Sequence, residues 1–374
     1  MRPSSLPASL DGLRLRAELA ASTRAGWDAP GARQAALGKF KAYLDKGRAL
    51  AASRLDGAGG GLEAARTLSG VMNAALRALF DSVTSDVAGT GAPGLALCAT
   101  GGYGAGELAP HSDIDLLFLA ADPAPQEASA IVERTLYALW DCGLPVGGGA
   151  VRTVDEAIAL AQTDISERTA LLDLRLISGD MRLVRQLMAR FETELLGEQA
   201  AGFASAKLAE RDARISRHGD SRYGVEPNVK DGKGGLRDLQ TVRWLAQLLY
   251  GADALERWVG NGLFSVADVE RYLSAADFFW TVRFHIHDMA GRKDDRLTFD
   301  LQPETAARMG YADGAGQLGV EAFMRDYFLK AIDVGALTRL VCAKLEADEL
   351  KDPPGGAGRF MPADGAASAG ELAA

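Results

Sequence analysis

Apolar residues recur at three- and four-residue spacing through most of the chain, the signature of helices with one buried face. Leu37, Phe40, Tyr43, Leu44 and Leu50 predict a helix over 35–55. After the glycine-rich break Gly57–Gly61, the positions Leu68, Val71, Met72, Ala75, Leu76, Leu79 and Phe80 predict a second over 62–87. The pattern then changes. LALCAT (95–100) and DIDLLFLA (113–120) are short, continuous apolar runs bounded by turn residues, and they read as strands. GGYGAGELAPHS (101–112), between them, reads as irregular. A helix over 126–142, carrying Ile131, Leu136, Leu139 and Trp140, leads to a third strand within 144–154 that is weakened by its glycines. Beyond residue 155 the period is helical again, over 155–163, 167–177, 181–196, 199–217, 236–250, 266–290 and 319–347, with one irregular segment at 221–235. The chain is therefore expected to be α+β: a flexible N-terminal arm over 1–34, a sheet-bearing domain with its preceding helices over 35–164, an all-α domain over 165–347 and a disordered tail over 348–374.

Composition narrows the function classes. The 374 residues carry 41 Lys plus Arg against 50 Asp plus Glu, a net charge of -9, which disfavours a general grip on nucleic acid. A polyanionic ligand would have to be small and neutralised locally. Cys98, Cys142 and Cys342 are widely separated, so neither a disulfide framework nor a zinc knuckle is indicated. The N-terminus lacks the apolar core of a secretory signal, and no run of about 18 apolar residues is present to span a bilayer. These features fit a cytoplasmic protein.

The sharpest chemical signal is the pair Gly101-Gly102 followed by Ser112-Asp113-Ile114-Asp115 at the start of the second strand. Side chains two apart on a strand share a face and lie about 7 Å apart. Asp113 and Asp115 thus project together, Leu117 and Leu119 continue their face into the interior, and Ile114, Leu116 and Phe118 point the other way. Two neighbouring carboxylates raise each other's pKa, a penalty that a divalent cation removes. Mg²⁺ prefers one or two carboxylates together with substrate phosphates and water. Glycines at 101 and 102 let backbone N–H groups approach a triphosphate without side-chain obstruction. The alternative, a turn followed by a solvated strand end, is the ordinary reading of a lone DxD. The glycine pair and the two apolar strands favour nucleotidyl transfer. GxxxxGK[ST] is absent, so this is no P-loop.

GGYGAGELAPHSDIDLLFL resembles the nucleotidyltransferase motif of bacterial protein PII uridylyltransferases. EPNVKDGKGGLRDLQTVRWLAQ (226–247), RFHIHDMAGRKDDRLTFDLQ (283–302) and ALLDLRLISGD (170–180) resemble later stretches of the same enzymes, so the likeness runs from about residue 36 to 347. The resemblance implies a polymerase-beta-like nucleotidyltransferase domain followed by an all-α helical domain. It implies transfer of UMP from UTP to a tyrosine of protein PII, with release of pyrophosphate and with Mg²⁺ or Mn²⁺ as cofactor. Asp113 and Asp115 then match the catalytic and metal-binding carboxylates, and Gly101 and Gly102 the glycine pair, with Ser112 beside them. The sequence departs from the family pattern at Ala105, where arginine is usual, and at Gly149, where histidine is usual. The third strand carries no third carboxylate, and Asp155 lies just past its end. The family's HD phosphohydrolase and ACT domains are expected to be absent from this polypeptide, which ends in low-complexity sequence, and His287-Asp288 is not read as an HD site because no further histidine follows it.

The segment 228–238 is glycine-rich, carries Lys230, Lys233 and Arg237, and opens a helix. It reads equally as a phosphate site at a helix N-terminus, with Lys230 and Arg237 binding nucleotide, or as a connecting loop capped by Asp231 or Asp238. The charge cluster 292–296 reads as a solvated face; Phe278, Phe279, Trp280 and Phe284 read as core, His285 as packed and Cys98 as a buried strand residue. Two other functions compete: an adenylyltransferase of the glutamine synthetase type, separated by preference for ATP, and a pseudoenzyme that binds nucleotide or PII without turnover.

Overall fold

The computed structural model describes residues 6–55, 60–89, 93–196, 200–217, 224–250, 255–314 and 316–349. The chain opens with α1 (Gly12–Ser22), α2 (Ala32–Ser53) and α3 (Gly60–Ala88). The expected loose arm is in fact packed: Leu10, Leu15, Leu19 and Trp27 are buried in the core shared with α2 and α3, and Asp11 caps α1 by accepting the Leu13 N–H. Ser, Pro and Gly dominate the composition there, but Leu15 and Leu19 stand one helical turn apart and form a buried stripe.

A four-stranded sheet follows, built from β1 (Leu95–Ala99), the single turn α4 (Gly101–Gly104), β2 (Ile114–Ala120), α5 (Ala128–Asp141), β3 (Val146–Arg152), α6 (Val154–Thr163), α7 (Ile165–Leu172) and β4 (Arg175–Gly179). Its order is β3-β2-β1-β4, with β1 antiparallel to both neighbours and β2 parallel to β3. β4 corrects the sequence reading, which ran a helix through 167–177. The helix stops at Leu172, and the next residues pair with the free edge of β1, a tertiary contact that outweighs local helical preference. The sheet-bearing unit therefore extends beyond residue 164, into the part expected to be all helix.

Both faces of the two central strands, β1 and β2, are buried. Leu95, Leu97, Ile114, Leu116 and Phe118 join the core formed with α1–α3 and α5. Ala96, Cys98, Leu117 and Leu119 join a second core with α6, α7 and α8 (Met181–Arg190), the last continued by a π-helical turn over Phe191–Leu196. The remaining helices are α9 (Ala200–Arg217), α10 (Leu236–Tyr250), α11 (Leu255–Gly260), α12 (Val266–Ala290), α13 (Gln302–Arg308) and α14 (Gly319–Glu349). α11 and α13 were not legible in the sequence, whereas α12 matches its predicted span. α12 starts at a Ser265/Asp268 capping box and ends at Gly291 in the left-handed region. It also docks on α3, whose first N–H groups donate to Thr281 Oγ1 and Asp277 Oδ1. α10 and α14 contribute to both cores, so the later helices clamp the sheet and do not stand apart from it. Of the predicted tail over 348–374, residues 348–349 continue α14, while the rest, with parts of the Gly57–Gly61 break and of the 221–235 segment and His218, lies outside the described residues. Among those described, no helix is long and apolar enough to cross a membrane.

Candidate active site

β1 delivers the chain into the glycine turn. Thr100 N–H donates to the Asp115 carbonyl, which ties the start of α4 to β2. Gly101 has φ +57°, and a Cβ there would lie 3.0 Å from Asp115 Oδ2. The turn is held from β4: Arg175 donates to the carbonyls of Tyr103 and Gly104, and Tyr103, fully buried beneath, donates to Asn73. These hydrogen bonds fix the turn to β4 and α3 despite its glycines. Cys98, one strand position earlier, is enclosed, and burial pushes its thiol up to about 12, a structural residue and no nucleophile.

The two carboxylates share a face as the strand period requires. Asp115 is half-buried opposite Gly147 of β3, where a Cβ would come within 2.4 Å of Asp115 Oδ1. Burial, and then the charge of Asp113, raise the Asp115 carboxyl above its ordinary value, while Lys230, Lys293 and Arg237 pull the other way. Asp113, more open, is ion-paired with Lys293. Segment 292–296 is thus not a simple solvated face. Asp295 is largely enclosed and accepts from Arg283 Nε at 2.7 Å, and its carbonyl accepts the Val229 N–H. His287, at the centre, accepts the His111 N–H at Nδ1, so its Nε2 carries the proton and faces Asp295 Oδ1 at 3.3 Å. Burial lowers the His287 pKa, consistent with a neutral ring. Arg283 also donates to Ser112 Oγ, so α12 holds the residues immediately before Asp113 from behind.

Lys230 sits in a turn closed by Asn228, whose side chain accepts the N–H groups of Lys230 and Asp231. Burial, with Arg283 and Arg237 nearby, brings its ammonium down to about 8. Arg237, in the first turn of α10, donates to Gln240 and pairs with Asp231. It lines, with Gly101, a cavity of about 350 Å³ whose far wall is α9. Gly101, Asp115, Lys230 and Arg237 therefore converge, whereas the Ser112 hydroxyl is engaged by α12. A second cavity of about 360 Å³ flanks Asp113 and Lys293 on the side of α2 and α3.

Among the described residues, no group of three or more His, Cys, Asp or Glu side chains converges as a metal centre. The pair Asp113/Asp115 nevertheless suits a hard divalent ion that takes its other ligands from phosphate and water. Gly101 and Gly147 leave the space around the Asp115 oxygens clear, and the Lys293 ammonium on Asp113 marks a position where positive charge is accepted.

Residues 202–342 match the family model described as GlnD PII-uridylyltransferase. Over 367 residues, 97% of this chain, the sequence is 47% identical to a bifunctional uridylyltransferase/uridylyl-removing enzyme of Phenylobacterium zucineum. It is 45% identical over 370 residues to the like-named protein of Caulobacter vibrioides, and 44% over 326 residues to that of Azospirillum brasilense. The chain belongs to the PII-uridylyltransferase family. It spans 39% of the length of the first two relatives and 35% of the third. The sequence reading named the carboxylates, the glycine pair, Lys230 and Arg237 as candidates, and the structure brings Gly101, Asp113, Asp115, Lys230 and Arg237 near one another. The sequence reading missed Gly147, Lys207, Arg214 and Lys293, as well as Asp173, which accepts from Arg243 and Trp244 at 2.8 to 2.9 Å and fixes α10 to the sheet. No local pattern marks these residues; each acquires its place through a contact far along the chain.

Proposed function

We propose that this chain transfers UMP from UTP to a tyrosine hydroxyl of the cytoplasmic regulatory protein PII, using a polymerase-beta-like nucleotidyltransferase domain built on the sheet and closed by the helical domain. The observation that carries the reading is the pair Asp113/Asp115 on one strand face, beside a glycine turn and opposite Lys230 and Arg237. Asp113 and Asp115 would hold Mg²⁺ or Mn²⁺, which supplies charge neutralisation for the triphosphate. The backbone N–H groups around Gly101 and Gly102 approach the phosphates, and Lys230 and Arg237 offset their charge. The tyrosine oxygen bonds to the α-phosphorus as the bond to the β-phosphate oxygen breaks, pyrophosphate departs, and the phenolic proton passes to solvent. Phosphoryl-type transfer depends mainly on positioning and charge compensation, which a sparse constellation of this kind can provide.

Incubation with purified PII, Mg²⁺ and α-labelled UTP or ATP tests the reading. Label on a PII tyrosine from UTP in preference to ATP supports it. Preference for ATP supports an adenylyltransferase, and nucleotide binding without covalent label supports a pseudoenzyme.

A further inference from the structure

The cavity beside the glycine turn has a wall that the reaction just described leaves without a role. We infer that α9 supplies Lys207 and Arg214 to a binding site for the pyrophosphate end of the nucleoside triphosphate, the identity of the anion resting on the nucleotidyl-transfer reading above. The cavity is lined by four cations (Lys207, Arg214, Arg217 and Arg237) against Glu210 and Asp231, a positive excess within a chain of net charge -9. Two of these cations are deeply enclosed, Lys207 at 4% exposure and Arg214 at 7%. Enclosing such groups is costly without compensation, and the compensation here is incomplete. Lys207 has Glu210 at 2.7 Å and the Trp244 face at 4.4 Å, and burial still lowers its pKa. Arg214 and Arg211 share the single carboxylate of Asp238, which also accepts the Gly234 N–H. The Arg214 Nε is buried without a hydrogen-bond partner. A buried, underpaid guanidinium on a cavity wall is an anion site in waiting.

Position identifies the anion. Gly101 forms the opposite rim of the cavity, and a Cβ on it would lie 3.0 Å from Asp115 Oδ2. The cavity therefore begins where the carboxylates end. An α-phosphorus at the carboxylates would direct its β- and γ-phosphates towards α9. The leaving group would thus be received by a helix distant in sequence from the strand that carries the acids.

Inorganic pyrophosphate is the probe, titrated calorimetrically into the full chain with EDTA and again with Mg²⁺. Lys207→Met keeps the aliphatic stem on Trp244 and removes the charge. It is expected to weaken pyrophosphate binding about ten-fold or more, the loss of roughly one charge-assisted hydrogen bond, with Tm and UMP affinity retained. Pyrophosphate affinity within two-fold of wild type in a folded Lys207→Met protein overturns the inference. Should Lys207→Met not fold, exposed Arg217→Gln at the rim is expected to reduce both the affinity and its dependence on salt, and an unchanged titration there overturns the inference equally. Asp115→Asn separates the two claims. Metal-free pyrophosphate binding is expected to survive that change. Absence of labelled transfer by the wild type, while Lys207→Met loses pyrophosphate, leaves the anion site standing and removes the nucleotidyl-transfer reading; transfer that is lost in Asp115→Asn, with pyrophosphate binding unchanged in Lys207→Met, removes the anion site alone.

Discussion

The acidic half of the site and its cationic half are assembled in different ways. Asp113, Asp115 and the glycine pair lie within fifteen consecutive residues running from α4 into the start of β2, and Gly147 faces them from the adjoining strand. Lys230, Arg237 and Lys293 come from α10, its preceding turn and the segment after α12, and they reach the acids only because two buried polar clusters hold those helices against the sheet. One cluster is Asp173 with Arg243 and Trp244; the other is His287, Asp295 and Arg283 behind Ser112. The acids are thus set by strand geometry, while the cations are set by packing at long range. Damage to the first half should alter chemistry with the fold intact. Damage to the second should alter binding, or the fold itself.

The largest effect that breaks this division is expected from Asp173→Asn. The Asp173 side chain is 1% exposed, and its loss of charge removes the enclosed carboxylate that pairs with the buried Arg243. Destabilisation of about 3–5 kcal/mol is expected, read by chemical denaturation, with loss of activity following loss of fold. Gly147→Ala acts on the acidic half alone. Its Cβ would stand 2.4 Å from Asp115 Oδ1, so the carboxylate must move, and kcat should fall by about 100-fold while Tm changes little.

Lys230 sharpens the comparison through pH. Its ammonium, near 8 instead of the ordinary 10.5, is charged below that pH and neutral above it. UTP affinity should therefore decline as pH rises through about 8, and Lys230→Arg should flatten the profile because guanidinium stays protonated. Stability runs in the opposite sense. The unfolded chain binds more protons between about 8 and 10.5, so the free protein gains stability across that window. Thermal melts against pH check the sign. The smallest effect belongs to Lys293→Ala. Both members of the Lys293–Asp113 pair are more than 40% exposed, so removing the competing ammonium should lower the Mg²⁺ concentration for half-maximal activity only by about two- to three-fold, as suits a solvent-screened pair.

The sequence's legibility followed the same division. The period-two pattern of DIDLLFLA placed the acids on one face and Ile114, Leu116 and Phe118 on the other, as the two cores bear out. The helical period of α12 identified its full span. β4 was read as helix because its strand character comes from the edge of β1, and α1 was read as a loose arm because composition masked the stripe of Leu15 and Leu19. Segment 292–296 looked like a solvated charge run, since nothing nearby in sequence shows that Asp295 meets Arg283 and His287. Lys207 and Arg214 were invisible for the same reason.

The most direct test of the account is transfer of labelled UMP from UTP to PII by the wild-type chain and by Asp115→Asn, under matched Mg²⁺ and with both proteins shown to be folded by their melting curves. The account predicts covalent label on PII with the wild type, and a loss of at least about 1,000-fold in kcat with Asp115→Asn as the paired carboxylate arrangement is removed. Undiminished turnover in Asp115→Asn would contradict it.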